Sequence, residues 1–190
     1  MTLSCALKAG NKEILIVSVD EEPYKEIHTS IFGFNPKFSS LEELAEHEYQ
    51  GAKRYALKRL AMQGTLSSKL RDLLEERLVS TEVIDKVIED CQQSGYLNDA
   101  DWVDAFVRCQ KRKRIGPQMI RMKLREKGVK THVELDINER TQIKALLESK
   151  YKNRDLKDYK ERQKVIASLM RKGYTLSSIL EELKHDPDDI

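Results

Sequence analysis

The sequence is poor in the residues from which disulfide frameworks, zinc sites and membrane spans are built. Its 190 residues include three cysteines, four histidines, four prolines and one tryptophan. Cys5, Cys91 and Cys109 are odd in number, far apart and without CxxC spacing, which argues against a disulfide framework or a zinc site. The histidines (His28, His47, His132, His185) fall in four different stretches and share no metal-ligand spacing. No apolar run reaches the ~18 residues that a membrane helix needs. The N-terminus, Met1-Thr2-Leu3-Ser4-Cys5, lacks the charged lead and apolar stretch of a signal peptide, so a cytoplasmic protein is expected.

What the sequence does have is charge. Charged residues make up 35% and hydrophobic residues 39%, with a mean hydropathy of −0.61. The apolar residues must therefore be concentrated on stripes. A net charge of +2 hides an uneven distribution. Residues 111–127 hold eight bases (Lys111, Arg112, Lys113, Arg114, Arg121, Lys123, Arg125, Lys127) against the single acid Glu126. The C-terminal tail is acidic, with Glu181, Glu182, Asp186, Asp188 and Asp189. A local basic patch attracts polyanions or acidic protein surfaces whatever the net charge.

The opening stretch is unlike the rest. Residues 13–19 are rich in Ile, Leu and Val and end at Asp20-Glu21-Glu22-Pro23. Residues 24–29 could pair back on them as a hairpin. Gly33, Asn35 and Pro36 then mark a linker. From Ser40 onward the pattern is helical. Ser40 and Glu43 have capping-box spacing, and Leu41, Leu44, Ala52, Tyr55, Ala56 and Leu60 line one face of a helix to about Met62. Further helices are expected over 67–77, over 81–94, from Asn98 to the Gly116-Pro117 break, and over 117–127. A helical stretch from about Thr131 runs to Tyr151. The last two are a helix ending at Gly173 and a short one over 176–183. Cys91 continues the stripe of Val83, Ile84, Val87 and Ile88, so it reads as a small buried hydrophobe.

The helical pattern repeats. Leu70, Leu74 and Val79 correspond to Ile120, Leu124 and Val129 at one offset of 50 residues, and Thr65-Leu66-Ser67-Ser68 recurs at 175–178. Recurrence at ~20–50 residues is the mark of stacked supersecondary units. The expected architecture is mainly α: tandem three-helix repeats forming an elongated curved array, with a short hairpin-like β extension. The expected boundaries are an extension at 1–38, repeat 1 at 39–96, repeat 2 at 97–152, and a truncated repeat 3 with the acidic tail at 153–190.

Three stretches carry a resemblance. They are Ala52-Lys53-Arg54-Tyr55-Ala56-Leu57-Lys58-Arg59-Leu60-Ala61, followed by residues 66–74; Gly95-Tyr96-Leu97-Asn98-Asp99; and Gly116-Pro117-Gln118-Met119-Ile120-Arg121-Met122-Lys123-Leu124-Arg125-Glu126-Lys127-Gly128-Val129. Together they resemble the RecX family, from about Tyr49 to Leu183. Two departures stand out: Leu78 occupies a position where glycine is frequent, and Trp102 replaces a smaller aromatic. The resemblance implies a non-catalytic regulator of the RecA recombinase. Such a regulator would lie along the groove of RecA–ssDNA filaments and modulate ATP turnover, strand exchange and LexA cleavage in DNA repair and the SOS response.

The residues themselves nominate no enzyme. There is no Gly-rich phosphate loop, and Ser67-Ser68-Lys69 places adjacent residues on different faces of a helix. No cofactor is expected. The candidate contact residues for RecA or nucleic acid are Lys111, Arg112, Lys113, Arg114, Arg121 and Arg125. A second set, Lys53, Arg54, Lys58 and Arg59, lies on the first long helix. Charge and exposure nominate them, against the plainer reading of a solvated face. The expected partners are RecA and its filament, with weak binding to DNA, no membrane, and a monomeric state. The rival reading is a helix-turn-helix transcriptional regulator with 117–127 as recognition helix. Against it, few amide side chains accompany the bases.

Overall fold

The computed structural model describes residues 2–184. Among them are a three-stranded antiparallel sheet and nine helices, so the chain is mainly α as its periodicity predicts. They divide into two compact units, Met1–Trp102 and Val103–Ile190.

The first unit opens with β1 (Leu3–Leu7), β2 (Ile14–Val19) and β3 (Glu22–His28), in the order β1-β2-β3. Leu15 and Val17 point inward at strand period, and both are buried. The two-residue turn at Asp20 and Glu21 has positive φ at both positions, 49° and 72°, the geometry that matches strand twist in tight hairpins. The expected hairpin is therefore present, but β1 extends it to a sheet by pairing with the free edge of β2, Cys5 opposite Val17. A lone hairpin is marginal in water, and a third strand with an apolar face relieves that. Pro23 sits near the start of β3 rather than in the turn; β3 is an edge strand, where a missing N–H is tolerated.

A four-residue helix, α1 (Thr29–Phe32), links the sheet to α2 (Leu41–Met62). Ser40 caps α2 by accepting from the Glu43 N–H at 3.1 Å. The glutamate reaches back one residue further than a strict capping box, accepting from the N–H of Ser39 at 2.7 Å. Gly51 is required where α1 crosses α2, since a β-carbon there would lie 2.2 Å from the Ile31 carbonyl oxygen. Helices α3 (Ser67–Glu75) and α4 (Thr81–Gln93) complete the unit. Leu15, Val17, Ile27, Ile31, Leu44, Ala52, Leu70, Leu74, Ile84 and Val87 share one core, joined by Cys91, which is 1% exposed. Glu48 is buried in that unit but satisfied: it accepts from Lys25 of β3 at 2.7 Å and from the Ser80 N–H at 2.7 Å.

Helix α5 (Asp99–Arg112) runs across the boundary between the units. Its first residue, Asp99, accepts from the N–H (2.7 Å) and hydroxyl (2.5 Å) of Ser67 and so caps α3. The second unit continues with α6 (Pro117–Glu126), α7 (Glu139–Ser149), α8 (Tyr159–Arg171) and α9 (Leu176–Lys184). Pro117 occupies the first turn of α6, where its missing N–H has no helical partner to lose. Ile143, Leu146, Val165, Ile166, Leu169, Tyr174, Ile179 and Leu183 form one core of α7, α8 and α9. Glu139, the first residue of α7, caps α9 by accepting from the N–H (2.8 Å) and hydroxyl (2.9 Å) of Thr175.

The 50-residue offset has a structural counterpart. Ser67 and Pro117 each open a helix, and Leu70/Ile120, Leu74/Leu124 and Val79/Val129 are all buried. Leu78 and Gly128 both adopt left-handed backbone, with φ of 58° and 89°. Val79 and Val129 then each return an N–H to the Leu74 and Leu124 carbonyls. The correspondence stops there. Thr81 opens α4, but residues 131–138 are not helical, and the helix expected from about Thr131 starts only at Glu139. Val133, Leu135 and Ile137 alternate with polar residues at period two, which gives no helical stripe. Asn138 supplies the cap instead, accepting from the Thr141 N–H at 3.1 Å. Of the acidic tail, Asp186, Asp188 and Asp189 lie outside the described residues, as does His185.

Candidate interaction surface

Helix α6 buries Ile120 and Leu124 and leaves Arg125 exposed and Arg121 half-buried. The helix is fixed at its N-terminus by backbone. The Gly116 N–H donates to the Lys172 carbonyl at 2.8 Å and the Gln118 N–H to the Gly173 carbonyl at 3.1 Å.

The run from Lys111 to Arg114 does not form one uniform patch. Arg114 takes left-handed backbone (φ 50°), and its guanidinium donates to the Ala145 carbonyl (3.0 Å) and the Ser149 hydroxyl (2.7 Å) of α7. Its own carbonyl accepts from the Tyr174 hydroxyl at 2.9 Å. Tyr174 is 1% exposed; burial, reinforced by the Glu139 carboxylate, pushes its phenol up to about 12. The Lys111 ammonium donates to the Asp136 carbonyl. Lys123 turns inward to the buried amide oxygen of Gln110 at 3.1 Å. Arg112, Lys113 and Arg125 are exposed, and their side chains have no hydrogen bond or ion pair among the described residues.

Arg121 and Arg125 meet Lys130 and His132 along a groove between α6 and the irregular chain that follows it. Arg121 Nε is buried with no hydrogen-bond partner among the described residues. The groove continues past Arg121 and His132 to Glu134 and Asp136. Sequence reading missed both: Lys130 fell between two expected helices, and His132 was assigned to the helix expected from about Thr131. The signal that could have found them is the alternation Val133, Leu135, Ile137 ahead of the Asn138 cap.

The second candidate set lies on α2 in the first unit. Lys53 donates to the Asp90 carboxylate (2.8 Å) and the Tyr49 hydroxyl (2.9 Å). The bond to Asp90, then that to Tyr49, holds its ammonium above the usual lysine range. Arg54 reaches the Ile31 carbonyl at 3.3 Å. Arg59 is half-buried, its Nε without a hydrogen-bond partner among the described residues. Lys58 is exposed, with no side-chain partner among them. No group of three or more His, Cys, Asp or Glu among the described residues is arranged to hold a metal ion. No described helix is long and apolar enough to cross a membrane.

Comparison with known proteins locates this architecture. Residues 138–181, spanning α7 to α9, match the family model of the RecX third three-helix domain. The chain is 29% identical over 158 residues to regulatory protein RecX of Bacillus cytotoxicus, covering 77% of this chain and 58% of that protein. It therefore spans little more than half the length of that relative. It is 28% identical over 139 residues to regulatory protein RecX of Legionella pneumophila, covering 68% of this chain and 92% of that one. Two crystal structures share the fold at 19% identity. One is of regulatory protein RecX, with a TM-score of 0.55 over 97% of this chain and 100% of that chain. The other is of RecX from Lactobacillus salivarius, with a TM-score of 0.58 over 72% and 96%. By sequence over most of its length, and by fold, the chain is similar to regulatory proteins of the RecX family.

Proposed function

We propose that this protein is a non-catalytic, cytoplasmic regulator of the RecA recombinase that acts as a monomer on RecA–ssDNA filaments. Its similarity to regulatory proteins of the RecX family carries the reading, and the exposed cations of the second unit agree with it. Binding to the filament modulates, and mostly inhibits, ATP hydrolysis, strand exchange and LexA cleavage. No chemistry by this chain is needed for that. A bound protein changes turnover only as far as it binds one state of the filament more tightly than another. A ligand seated across adjacent protomers has that property, because it couples their relative positions.

Arg112, Lys113 and Arg125 are the contacts best suited to an acidic filament surface, being exposed and without a side-chain partner among the described residues. Arg114 and Lys53 support folding before they support binding, since both are committed to internal hydrogen bonds. Rim contacts of this kind act mainly on association rate and weaken with added salt.

Binding to fluorescent ssDNA, to duplex DNA and to preformed cognate RecA–ssDNA filaments tests the reading. The expected result is filament binding much tighter than binding to either naked DNA, with the weak DNA binding steeply salt-dependent. Tight, sequence-specific duplex binding without RecA would favour the helix-turn-helix regulator and overturn this proposal.

A further inference from the structure

The groove beside α6 is built of two walls with different chemistry. One is the basic face of α6, Arg121 and Arg125. The other is the chain at residues 130–135. Among the described residues no backbone N–H from 130 to 135 donates to a protein acceptor, and no carbonyl from 130 to 134 accepts from a protein donor. From Val133 onward half-buried and exposed residues alternate, as in an extended chain with one face inward. The segment is held at both ends. Val129 is buried and bonded to the end of α6. At the other end, the Ile137 N–H closes a three-residue turn onto the Leu135 carbonyl at 2.9 Å, and Lys111 holds the next carbonyl, that of Asp136. An extended segment with free main-chain groups is a template for pairing with another strand. Anchoring it in advance lowers the entropy lost on binding.

We propose that residues 130–135 form a docking strand for an extended, acidic segment of a partner protein, which pairs with it backbone to backbone and sets a carboxylate against Arg121, Arg125 and Lys130. The dimensions suit this. The two adjoining parts of the groove enclose about 350 and about 530 Å³ and share Arg121 and His132. Arg121 lines both parts of the groove and offers an incoming carboxylate a charged donor. Charge selects a peptide over a nucleic-acid strand. The groove is basic at the Arg125 end but carries Glu134 and Asp136 at the other. A phosphodiester chain laid along it would meet both carboxylates, whereas a peptide can confine its acid to the basic end. The proposal adds a docking mode to the regulatory reading and does not depend on which protein supplies the segment.

The test needs no recombinase, so its failure is separable from failure of the regulatory reading. The full chain is titrated into a fluorescently labelled peptide of alternating threonine and valine that carries glutamates at one end only, and anisotropy is read. Two versions of the peptide are N-methylated on every second amide, one in each register, and oligothymidylate serves as competitor. The wild type is expected to bind the unmodified peptide. Methylation in one register should weaken binding by about tenfold or more while the other register is tolerated. Arg125→Glu combined with Lys130→Glu should weaken it similarly, with an unchanged circular dichroism spectrum. No binding by the wild type, equal binding of both methylated peptides and the parent, or displacement by oligothymidylate would each overturn the proposal; the last would make the groove a nucleic-acid site.

Discussion

Gly116 and Gly173 meet backbone to backbone: a β-carbon on Gly116 would stand 2.4 Å from the Gly173 carbonyl, and one on Gly173 would stand 2.3 Å from the Met119 nitrogen. This approach seats the start of α6 against the turn between α8 and α9, and so places Arg121 and Arg125.

Gly173→Ala is expected to lose stability twice over. It adds a clash with main chain, and it forces alanine into a left-handed conformation at φ 90°. The combined cost is about 2–5 kcal/mol. Gly95→Ala is the control. It too has positive φ, 73°, but nothing lies within 4 Å of the added carbon, so only the conformational cost of about 1–2 kcal/mol applies. Urea denaturation of both variants measures the difference.

Arg114→Ala is expected to destabilise the second unit by about 1–3 kcal/mol, since two hydrogen bonds from a charged donor are lost. Arg112→Glu, on an exposed side chain without partners among the described residues, should fall within about 0.5 kcal/mol of wild type. Thermal melts of the two variants separate a folding cation from a surface cation before either is tested for binding.

Tyr174 gives the fold an alkaline limit. Its phenol titrates at about 12 in the folded chain against roughly 10 when exposed. The folded state therefore holds its proton more tightly than the unfolded state. The resulting stability is complete below pH 10 and is lost as pH rises from 10 towards 12. Tyr174→Phe should remove the phenol that titrates near 12 from the absorbance titration and flatten the loss of stability over that window. A wild-type titration with every tyrosine ionised near pH 10 would contradict this.

The helical part of the fold was legible in the sequence because its signals are local. Ser40 caps α2, Pro117 opens α6, and apolar stripes name the buried faces before any contact is known. Leu78 stands out in the sequence as a departure from a frequent glycine, and its φ of 58° supplies the reason glycine is favoured there. Two features depend on pairing at a distance and were not legible. Strand β1, Leu-Ser-Cys-Ala-Leu, is short and has no β-branched or aromatic residue to mark it as a strand before it finds the edge of β2. Residues 130–138 follow a segment that matches its counterpart 50 residues earlier, yet depart from it immediately after Val129. The basic run was visible as composition only. That Arg114 faces α7 while Arg112 faces solvent depends on the left-handed turn at Arg114, which no periodicity reports.

The proposed regulation of RecA runs through exposed cations of the second unit. The most direct measurement is ssDNA-dependent ATP hydrolysis by cognate RecA as this protein is titrated in, compared with the Arg112→Glu/Arg125→Glu variant. Substoichiometric inhibition by the wild type, weakened by about tenfold or more in a variant that melts like wild type, is the predicted result. A full titration that changes neither hydrolysis nor filament lifetime would contradict the account.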